Sequence, residues 1–271
     1  MSGPKHRSTA APRSVLLVAL TLLTSCSGGD SNGPVTPVPD ASPPPVSGGP
    51  SAHPPGAPNV TAAGIVTFPT PDGVTLSGRV FGPRNAEAGI VLAHGATVNQ
   101  SSWFEFAQEL GQRGYLVLTF NFRGYCPGGE NGCSHGSKDT NARPIDLHAA
   151  IDAIRSFGIG RLGLMGSSLG GWAALTVGAD EGDALDLVVA LSAVSATDDD
   201  LRKISAAKLF MAGTGDDGIA GLARQLYDTS SQPKQLVLLD TGDHGAEMLR
   251  GSARDAARAA VFDWLHRYLP V

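Results

Sequence analysis

The sequence predicts an α/β fold in which helices cover both faces of a mostly parallel sheet. Apolar runs of strand length alternate with helical patterns over about 210 residues. Several of the runs are continuously apolar, as is typical of parallel strands that are buried on both faces. Such alternation indicates βα units, whose connecting helices pack against the sheet.

The elements can be placed in order along the chain. The strand-like runs are Val74–Phe81, Gly89–Ala93, Tyr115–Phe120, Leu162–Met165, Leu187–Leu191, Lys208–Ala212 and Gln235–Leu239. The helical patterns are Ser102–Arg113, Asp146–Phe157, Gly171–Ala179, Ile219–Tyr227 and Ala253–Tyr268. An antiparallel edge hairpin is expected first, because Ile65–Phe68 precedes a turn rich in Pro and Gly. The segment Val194–Ser205 is too short for a large cap domain, so an open site is expected.

The first 26 residues are predicted to be a targeting segment outside the fold. Three basic residues, Lys5, Arg7 and Arg13, precede an apolar stretch that is too short to span a bilayer. The stretch ends in Leu-Thr-Ser-Cys26, which resembles a bacterial lipoprotein signal with Cys26 as the lipidated residue. The alternative is an ordinary secretory peptide that contains a chance cysteine. Either interpretation predicts an extracytoplasmic protein, anchored to the cell membrane by lipid or secreted.

Two further parts follow the targeting segment. Residues 27–60 are rich in Pro, Ser, Gly and Ala, and such a composition cannot bury enough apolar surface to fold, so a disordered tether is expected. Residues 61–271 are enough for one domain. The net charge is −5, and it becomes −8 once the three basic residues of the targeting segment are removed. This acidic balance argues against nucleic acid or anionic membrane surfaces as partners.

The most informative motif is the pentapeptide Gly166–Gly170, GSSLG, between a strand-like run and a helical pattern. A G-x-S-x-G sequence in this position is typical of a nucleophile elbow, a tight turn that lifts the serine out of the backbone. Ser168 is therefore the candidate nucleophile. A serine hydroxyl needs a base to take its proton, and that base needs a carboxylate to hold its tautomer.

Loops after later strand-like runs supply both groups. One run leads into Asp216 and Asp217, and the last run leads into His244. In this order of serine, acid and histidine the chain resembles the α/β-hydrolases, roughly from Val74 to Tyr268. The segments Leu92-Ala-His94-Gly95 and Asn121-Phe-Arg123-Gly124 extend the resemblance, which is nearest to compact dienelactone-hydrolase-like or esterase-like members.

The resemblance implies roles for individual residues. Ser168 and His244 would form a triad with an acid three residues after a glycine, which favours Asp216 and keeps Asp217 as the alternative. The backbone N–H groups of Leu169 and Ala96 would form the oxyanion hole. The two remaining motif residues, His94 and Arg123, are expected to support loops and not to take part in the chemistry.

The remaining cysteines, Cys126 and Cys133, bracket a turn-prone loop, and in an exported protein they are expected to form a disulfide. With His135 they offer only three potential metal ligands, whereas a structural zinc site needs four, so no metal is expected. No dinucleotide-binding or P-loop pattern stands in a strand–helix context, so no cofactor is expected.

These observations favour an extracytoplasmic serine hydrolase that cleaves small carboxylic esters through an acyl-enzyme intermediate. A thioesterase, a peptidase or an acyltransferase would use the same residues. A surface binding module that keeps the fold without catalysis is the alternative from a different class, because fold does not fix function. A monomer is the expected oligomeric state.

Overall fold

The computed structural model describes residues 58–62, 64–126 and 132–271. The predicted targeting segment with Cys26, and the predicted tether up to residue 57, lie outside the described residues. In the described part of the chain, none of the helices combines the length and apolar character needed to cross a membrane.

The predicted mostly parallel sheet is confirmed. Its strands are β1 (Asn59–Val60), β2 (Ile65–Pro69), β3 (Thr75–Phe81), β4 (Ala88–Ala93), β5 (Leu116–Phe120), β6 (Arg161–Ser167), β7 (Leu187–Leu191), β8 (Ala207–Gly213) and β9 (Lys234–Leu239). They are ordered β1-β2-β3-β5-β4-β6-β7-β8-β9. The first three pairings, from β1 to β5, are antiparallel, and all the others are parallel.

Helices cover both faces of the sheet, as predicted. They are α1 (Phe104–Gln112), α2 (Arg143–Arg155), α3 (Leu169–Glu181), α4 (Asp198–Lys203), α5 (Ile219–Thr229) and α6 (Arg254–Tyr268). Each face carries its own hydrophobic core, one built with α1 and α6 and the other with α2 to α5. The strands between these cores are buried on both faces, which explains their continuously apolar sequences.

Three local features differ from the sequence-based expectation. The short helix α4 lies within Val194–Ser205, where Thr197 caps it by accepting from the Asp200 N–H at 3.1 Å. The helix α2 begins at Arg143, before the predicted start at Asp146. Asn59–Val60, which composition assigned to the tether, pairs with β2. The connection containing α4 is nevertheless too short for a cap domain, as predicted.

The Arg123 side chain joins three parts of the fold. Its guanidinium donates to Asp72 in the β2–β3 turn at 2.7 and 3.0 Å, and to Asp146 on α2 at 2.9 and 2.7 Å. These contacts hold the pKa of the Asp72 carboxyl well below its usual range. Arg123 thus lies in a structural position that agrees with its expected supporting role.

Cys126 and Cys133 form a disulfide, as predicted. Residues 127–131, between the two cysteines, lie outside the described residues. The segment after the bridge is held against β3, because the Ser134 hydroxyl accepts from the Ser77 N–H at 2.9 Å. The disulfide therefore closes a loop whose second end is fixed to the sheet.

Candidate active site

The Ser168 backbone has the conformation of a nucleophile elbow. Ser168 stands between β6 and α3 with φ 55° and ψ −119°, in the left-handed region that favours glycine. Its N–H donates to the Leu191 carbonyl of the neighbouring strand at 2.9 Å. The helix α3 begins at Leu169, so the positive end of the helix dipole lies directly behind the serine.

The glycines of the pentapeptide are required by close backbone approaches. A Cβ at Gly166 would collide with the Gly170 carbonyl, and a Cβ at Gly170 would collide with the Ala93 carbonyl. The segment after β4 also lies against the elbow, since a Cβ at Gly95 would stand 3.3 Å from the Ser168 Cβ. The predicted oxyanion residue Ala96 is thereby brought to the same cleft as Ser168.

Asp216 and His244 meet beside this cleft. The His244 Nδ1 lies 2.7 Å from an Asp216 carboxylate oxygen, so Nδ1 carries the proton and donates it. The two loops are also joined by their backbones, because the Thr214 N–H donates to the Leu239 carbonyl at 2.8 Å. Asp217, the alternative acid, is exposed and has no described contact with His244.

Ser168 and His244 line one cleft with a volume of about 280 Å³. No hydrogen bond joins these two described side chains, and in unliganded enzymes such bonds commonly tighten only when the substrate is bound. The cleft is also lined by Gly95, Ala96, Thr97, Val98, Ser102, Ser167, Ala246, Glu247 and Arg250. The structure therefore places the predicted nucleophile, base and oxyanion segment around one small space, with Asp216 behind the base.

Two charged side chains form one wall of the cleft. The Arg250 guanidinium donates to both carboxylate oxygens of Glu247, one of them at 2.9 Å, and to the Ser102 carbonyl at 3.3 Å. The Arg250 contacts lower the pKa of the Glu247 carboxyl, and the Glu247 contacts raise the pKa of Arg250. This wall is polar but internally paired, so it presents little net charge to a substrate.

Sequence reasoning missed the residues that hold the segment after β4. Arg143 is buried, and it donates to the His94 carbonyl at 3.2 Å and to the Tyr125 hydroxyl at 2.7 Å. The Tyr125 hydroxyl in turn donates to the Ala96 carbonyl at 2.7 Å. The Arg143 guanidinium also lies 4.3 Å from the centre of the Phe122 ring, a cation–π arrangement. These contacts fix the backbone on which the predicted oxyanion donor stands.

His94 is completely buried in this support. Its Nδ1–H donates to the Gly95 carbonyl at 2.6 Å, and its Nε2 accepts from the Phe122 N–H at 3.2 Å. An imidazole with one donating and one accepting nitrogen is neutral. Burial lowers the pKa of His94 to about 3, in agreement with these contacts. His94 is placed as a loop support, consistent with the sequence-based interpretation.

Two serines close to the base were also missed. The Ser167 hydroxyl accepts from the Ala246 N–H at 3.0 Å, and the Ser192 hydroxyl accepts from the Gly245 N–H at 2.9 Å. Ser192 also donates to the Asp216 carboxylate at 3.0 Å. Its position was a usable signal, because Ser192 directly follows the strand β7, just as the acid and the base follow β8 and β9.

The arrangement is suited to moving a proton from a serine hydroxyl through an oriented imidazole. Within residues 58–62, 64–126 and 132–271, no group of three or more His, Cys, Asp or Glu side chains is placed to hold a metal ion. His135 stands in the segment after the disulfide, where its N–H pairs with the Thr75 carbonyl at 2.8 Å.

Sequence comparisons give relatives named YfhR from two bacteria. The uncharacterized protein YfhR of Salmonella typhi is 32% identical over 122 residues, which cover 42% of this chain and 40% of that protein. The chain thus spans less than half the length of this relative. YfhR of Escherichia coli (strain K12) is 26% identical over 219 residues, 69% of this chain and 75% of that protein.

Solved structures share the fold. An esterase of Pyrococcus furiosus has a TM-score of 0.63 at 18% identity, covering 76% of this chain and 92% of that one. A dienelactone hydrolase of Anabaena variabilis also has a TM-score of 0.63, at 19% identity, covering 78% and 99%. The model of the Alpha/beta hydrolase family matches residues 90–271, about two thirds of the chain. The chain therefore belongs to the alpha/beta hydrolase family.

Proposed function

We propose that this protein is a serine hydrolase that cleaves small carboxylic esters through an acyl-enzyme intermediate, with Ser168, His244 and Asp216 as its catalytic triad. One observation carries the proposal. The His244 Nδ1 is held 2.7 Å from the Asp216 carboxylate, and the same imidazole lines the cleft into which the strained Ser168 elbow opens. The esterase and the dienelactone hydrolase among the structural relatives support the same reaction class.

The first half-reaction forms the acyl-enzyme. The Ser168 oxygen attacks the ester carbonyl carbon while the His244 Nε2 takes the hydroxyl proton. The carbonyl oxygen becomes an oxyanion, which accepts hydrogen bonds from the N–H groups of Leu169 and Ala96. The tetrahedral intermediate then collapses, the carbon–oxygen bond to the alcohol breaks, and His244 returns its proton to the leaving alkoxide.

The second half-reaction releases the acid. Water loses a proton to the His244 Nε2 and attacks the acyl carbon, so a second tetrahedral intermediate forms in the same oxyanion hole. When it collapses, the bond to the Ser168 oxygen breaks and His244 returns the proton to that oxygen. The Asp216 carboxylate stays ionised throughout and stabilises the imidazolium that forms twice in each cycle.

The cleft favours a small substrate. Its volume of about 280 Å³ lies just below the range for ligand sites, roughly 300–1,000 Å³. The walls near Ser168 carry the small side chains of Ala96, Val98 and Ala246. A short acyl group fits these walls, and no cap domain is present between β7 and β8 to enclose a long chain.

An extracytoplasmic location completes the proposal. It rests on the predicted targeting segment 1–26, with Cys26 as the lipid attachment site, and on the Pro-rich segment that follows. The disulfide between Cys126 and Cys133 supports it, because disulfides persist mainly in oxidising compartments. Globomycin, which blocks lipoprotein signal cleavage, should cause the unprocessed precursor to accumulate, and unchanged processing would contradict the lipid anchor.

The triad is tested with a fluorophosphonate probe and with p-nitrophenyl esters of increasing acyl length. We expect the parent protein to be labelled and to hydrolyse acetate and butyrate esters faster than esters of eight or more carbons. Ser168→Ala should abolish both labelling and turnover. Ser167→Ala is the matched control, since it removes the neighbouring hydroxyl and should leave the labelled serine in place.

The result that would overturn the proposal is equally specific. A folded parent protein that neither reacts with the probe nor turns over any ester would remove the enzymatic interpretation, and a surface binding module would then be the better one. Labelling that survives in Ser168→Ala would assign the nucleophile to another residue.

A further inference from the structure

We infer that Ser192 is a positioning residue that sets both the acid and the base of this site; the inference rests on the proposed function of Ser168, His244 and Asp216. Ser192 is not among the residues that line the cleft described above. It acts through one hydroxyl that contacts two loops.

The direction of both hydrogen bonds follows from their chemistry. The Gly245 nitrogen carries a proton and no free lone pair, so it must donate to the Ser192 hydroxyl, 2.9 Å away. A serine has one hydroxyl proton, and that proton remains for the Asp216 oxygen at 3.0 Å. This oxygen is the same one that faces the His244 Nδ1 at 2.7 Å.

The hydroxyl therefore controls two properties of the site. By donating to the Asp216 oxygen, it stabilises the ionised carboxylate and fixes the oxygen that orients His244. By accepting from Gly245, it fixes the residue directly after His244 and with it the path of the base loop. Acid and base consequently keep a constant relation although they belong to loops after different strands.

The backbone at Ser192 supports a role for the side chain. Ser192 is completely buried and has φ 47°, a left-handed conformation that favours glycine. Among the described residues, the other non-glycine residue with positive φ is the nucleophile Ser168 itself. Residues held in such conformations cluster at functional sites. A glycine would relieve the conformation at Ser192 but would lose the hydroxyl.

The test compares Ser192→Ala and Ser192→Gly with the parent protein. Loss of a hydrogen bond to a charged group predicts a fall in kcat of roughly 10- to 100-fold, with KM within about twofold. The kcat of Ser192→Gly should fall as far as that of Ser192→Ala, although glycine adopts this backbone conformation without strain. The acid limb of the pH profile of kcat/KM should move to higher pH in both variants. The reason is that the Asp216 carboxylate, with one donor fewer, attracts the His244 imidazolium more strongly.

Two controls separate positioning from general support. Ser167→Ala removes the hydroxyl that holds the adjacent Ala246 N–H but does not contact Asp216, so its acid limb should not move. In an Asp216→Asn background, adding Ser192→Ala should cost less than about threefold more, because the shared partner is already lost. A full additional loss in that background, or an unmoved acid limb in Ser192→Ala, would overturn the inference.

A readout without turnover keeps the two proposals distinguishable. The protonation midpoint of the His244 ring can be followed by NMR in the parent and in Ser192→Ala, with His244→Gln used to assign the signal. A shift to higher pH supports the positioning role even if no ester is hydrolysed. An active parent with an unshifted midpoint would overturn the positioning role and leave the proposed function standing.

Discussion

His94 and His244 both follow strands that end at the same edge of the sheet, yet their surroundings give them opposite properties. His94 is completely buried between a cation–π cluster and two backbone groups, and both of its ring nitrogens are used within the fold. The His244 side chain is 42% exposed, and one nitrogen faces a carboxylate while the ring lines the cleft.

The difference shows how a residue type acquires its role. Burial without a carboxylate partner keeps the His94 imidazole neutral, and both of its nitrogens are used in hydrogen bonds within the fold, so His94 supports structure. Partial exposure with one nitrogen fixed leaves the other nitrogen free to exchange protons with a substrate. The region around His94 thus supports the wall of the cleft, and the region around His244 is the one to which we assign the proton transfer.

One of the largest expected effects separates the two neighbouring acids, Asp216 and Asp217. Asp216→Asn should lower kcat/KM by roughly 10³- to 10⁴-fold, because an amide cannot hold the imidazole tautomer or stabilise the imidazolium. The exposed Asp217→Asn should stay within about twofold. Steady-state kinetics on a short ester measures both, and the reverse pattern would assign the acid to Asp217.

The next effect sharpens the contrast through pH. His94 has a pKa of about 3 in the folded protein against 6.5 for an unperturbed imidazole, so the unfolded chain binds more protons between these values. The contribution of His94 to the free energy of unfolding is therefore fully present above pH 6.5 and is lost as the pH falls towards 3. Between pH 7 and 4.5 we expect a loss of roughly 2–3 kcal/mol from this group.

Urea unfolding at several pH values measures that loss. His94→Gln is the matched control, because it removes the imidazole and leaves every other ionisable side chain in place. The free energy of unfolding of the variant should fall less steeply between pH 7 and 4.5 than that of the parent. Equal slopes would mean that His94 does not resist protonation.

A third prediction compares the stability and turnover of the variants His94→Gln and His244→Gln. His94→Gln should destabilise the protein by about 2–4 kcal/mol, because it disturbs a packed site and two buried hydrogen bonds. His244→Gln should change stability by less than about 0.5 kcal/mol, since its side chain is partly exposed, and it should abolish turnover. Thermal unfolding and ester hydrolysis are measured on both variants. An equal loss of stability in the two would contradict the different roles given to the two histidines.

The smallest expected effect concerns the Tyr125 hydroxyl, which links the buried Arg143 to the segment that carries Ala96. Tyr125→Phe removes the donor to the Ala96 carbonyl and the acceptor for Arg143 while keeping the ring. We expect a loss of about 1–2 kcal/mol in stability and a fall of roughly three- to tenfold in kcat. Unchanged kcat in a destabilised variant would show that the hydroxyl supports the fold without tuning the site.

Much of the fold could be predicted from the sequence because its signals are local. Continuous apolar runs reveal strands buried on both faces, and the GSSLG pentapeptide marks a turn that only small flanking residues allow. The short helix α4 was missed because its six residues are mostly charged and give no apolar period. Its cue is the cap Thr197 followed by three aspartates.

The supporting residues of the site could not be found in the same way. Arg143, Tyr125 and Ser192 act through contacts with residues distant in sequence, and none of them stands in a motif. A buried arginine is also rare enough that composition argues against expecting one. The preference for Asp216 over Asp217 came from the resemblance to the α/β-hydrolases, and the geometry at His244 adds an independent reason for it.

The ion pairs of Arg123 with Asp72 and Asp146 limit how far this domain can be shortened. The family match begins at residue 90, which leaves the hairpin of β2 and β3 outside it. Yet the Arg123 side chain, only 9% exposed, shares its donors between Asp146 and Asp72 of that hairpin. A chain shortened to the matched region would lack Asp72, one of the two carboxylates that pair with Arg123. It would also lack β3, so the edge of β5 would be exposed. Any transplant of residues 90–271 into another protein must therefore carry the hairpin with it.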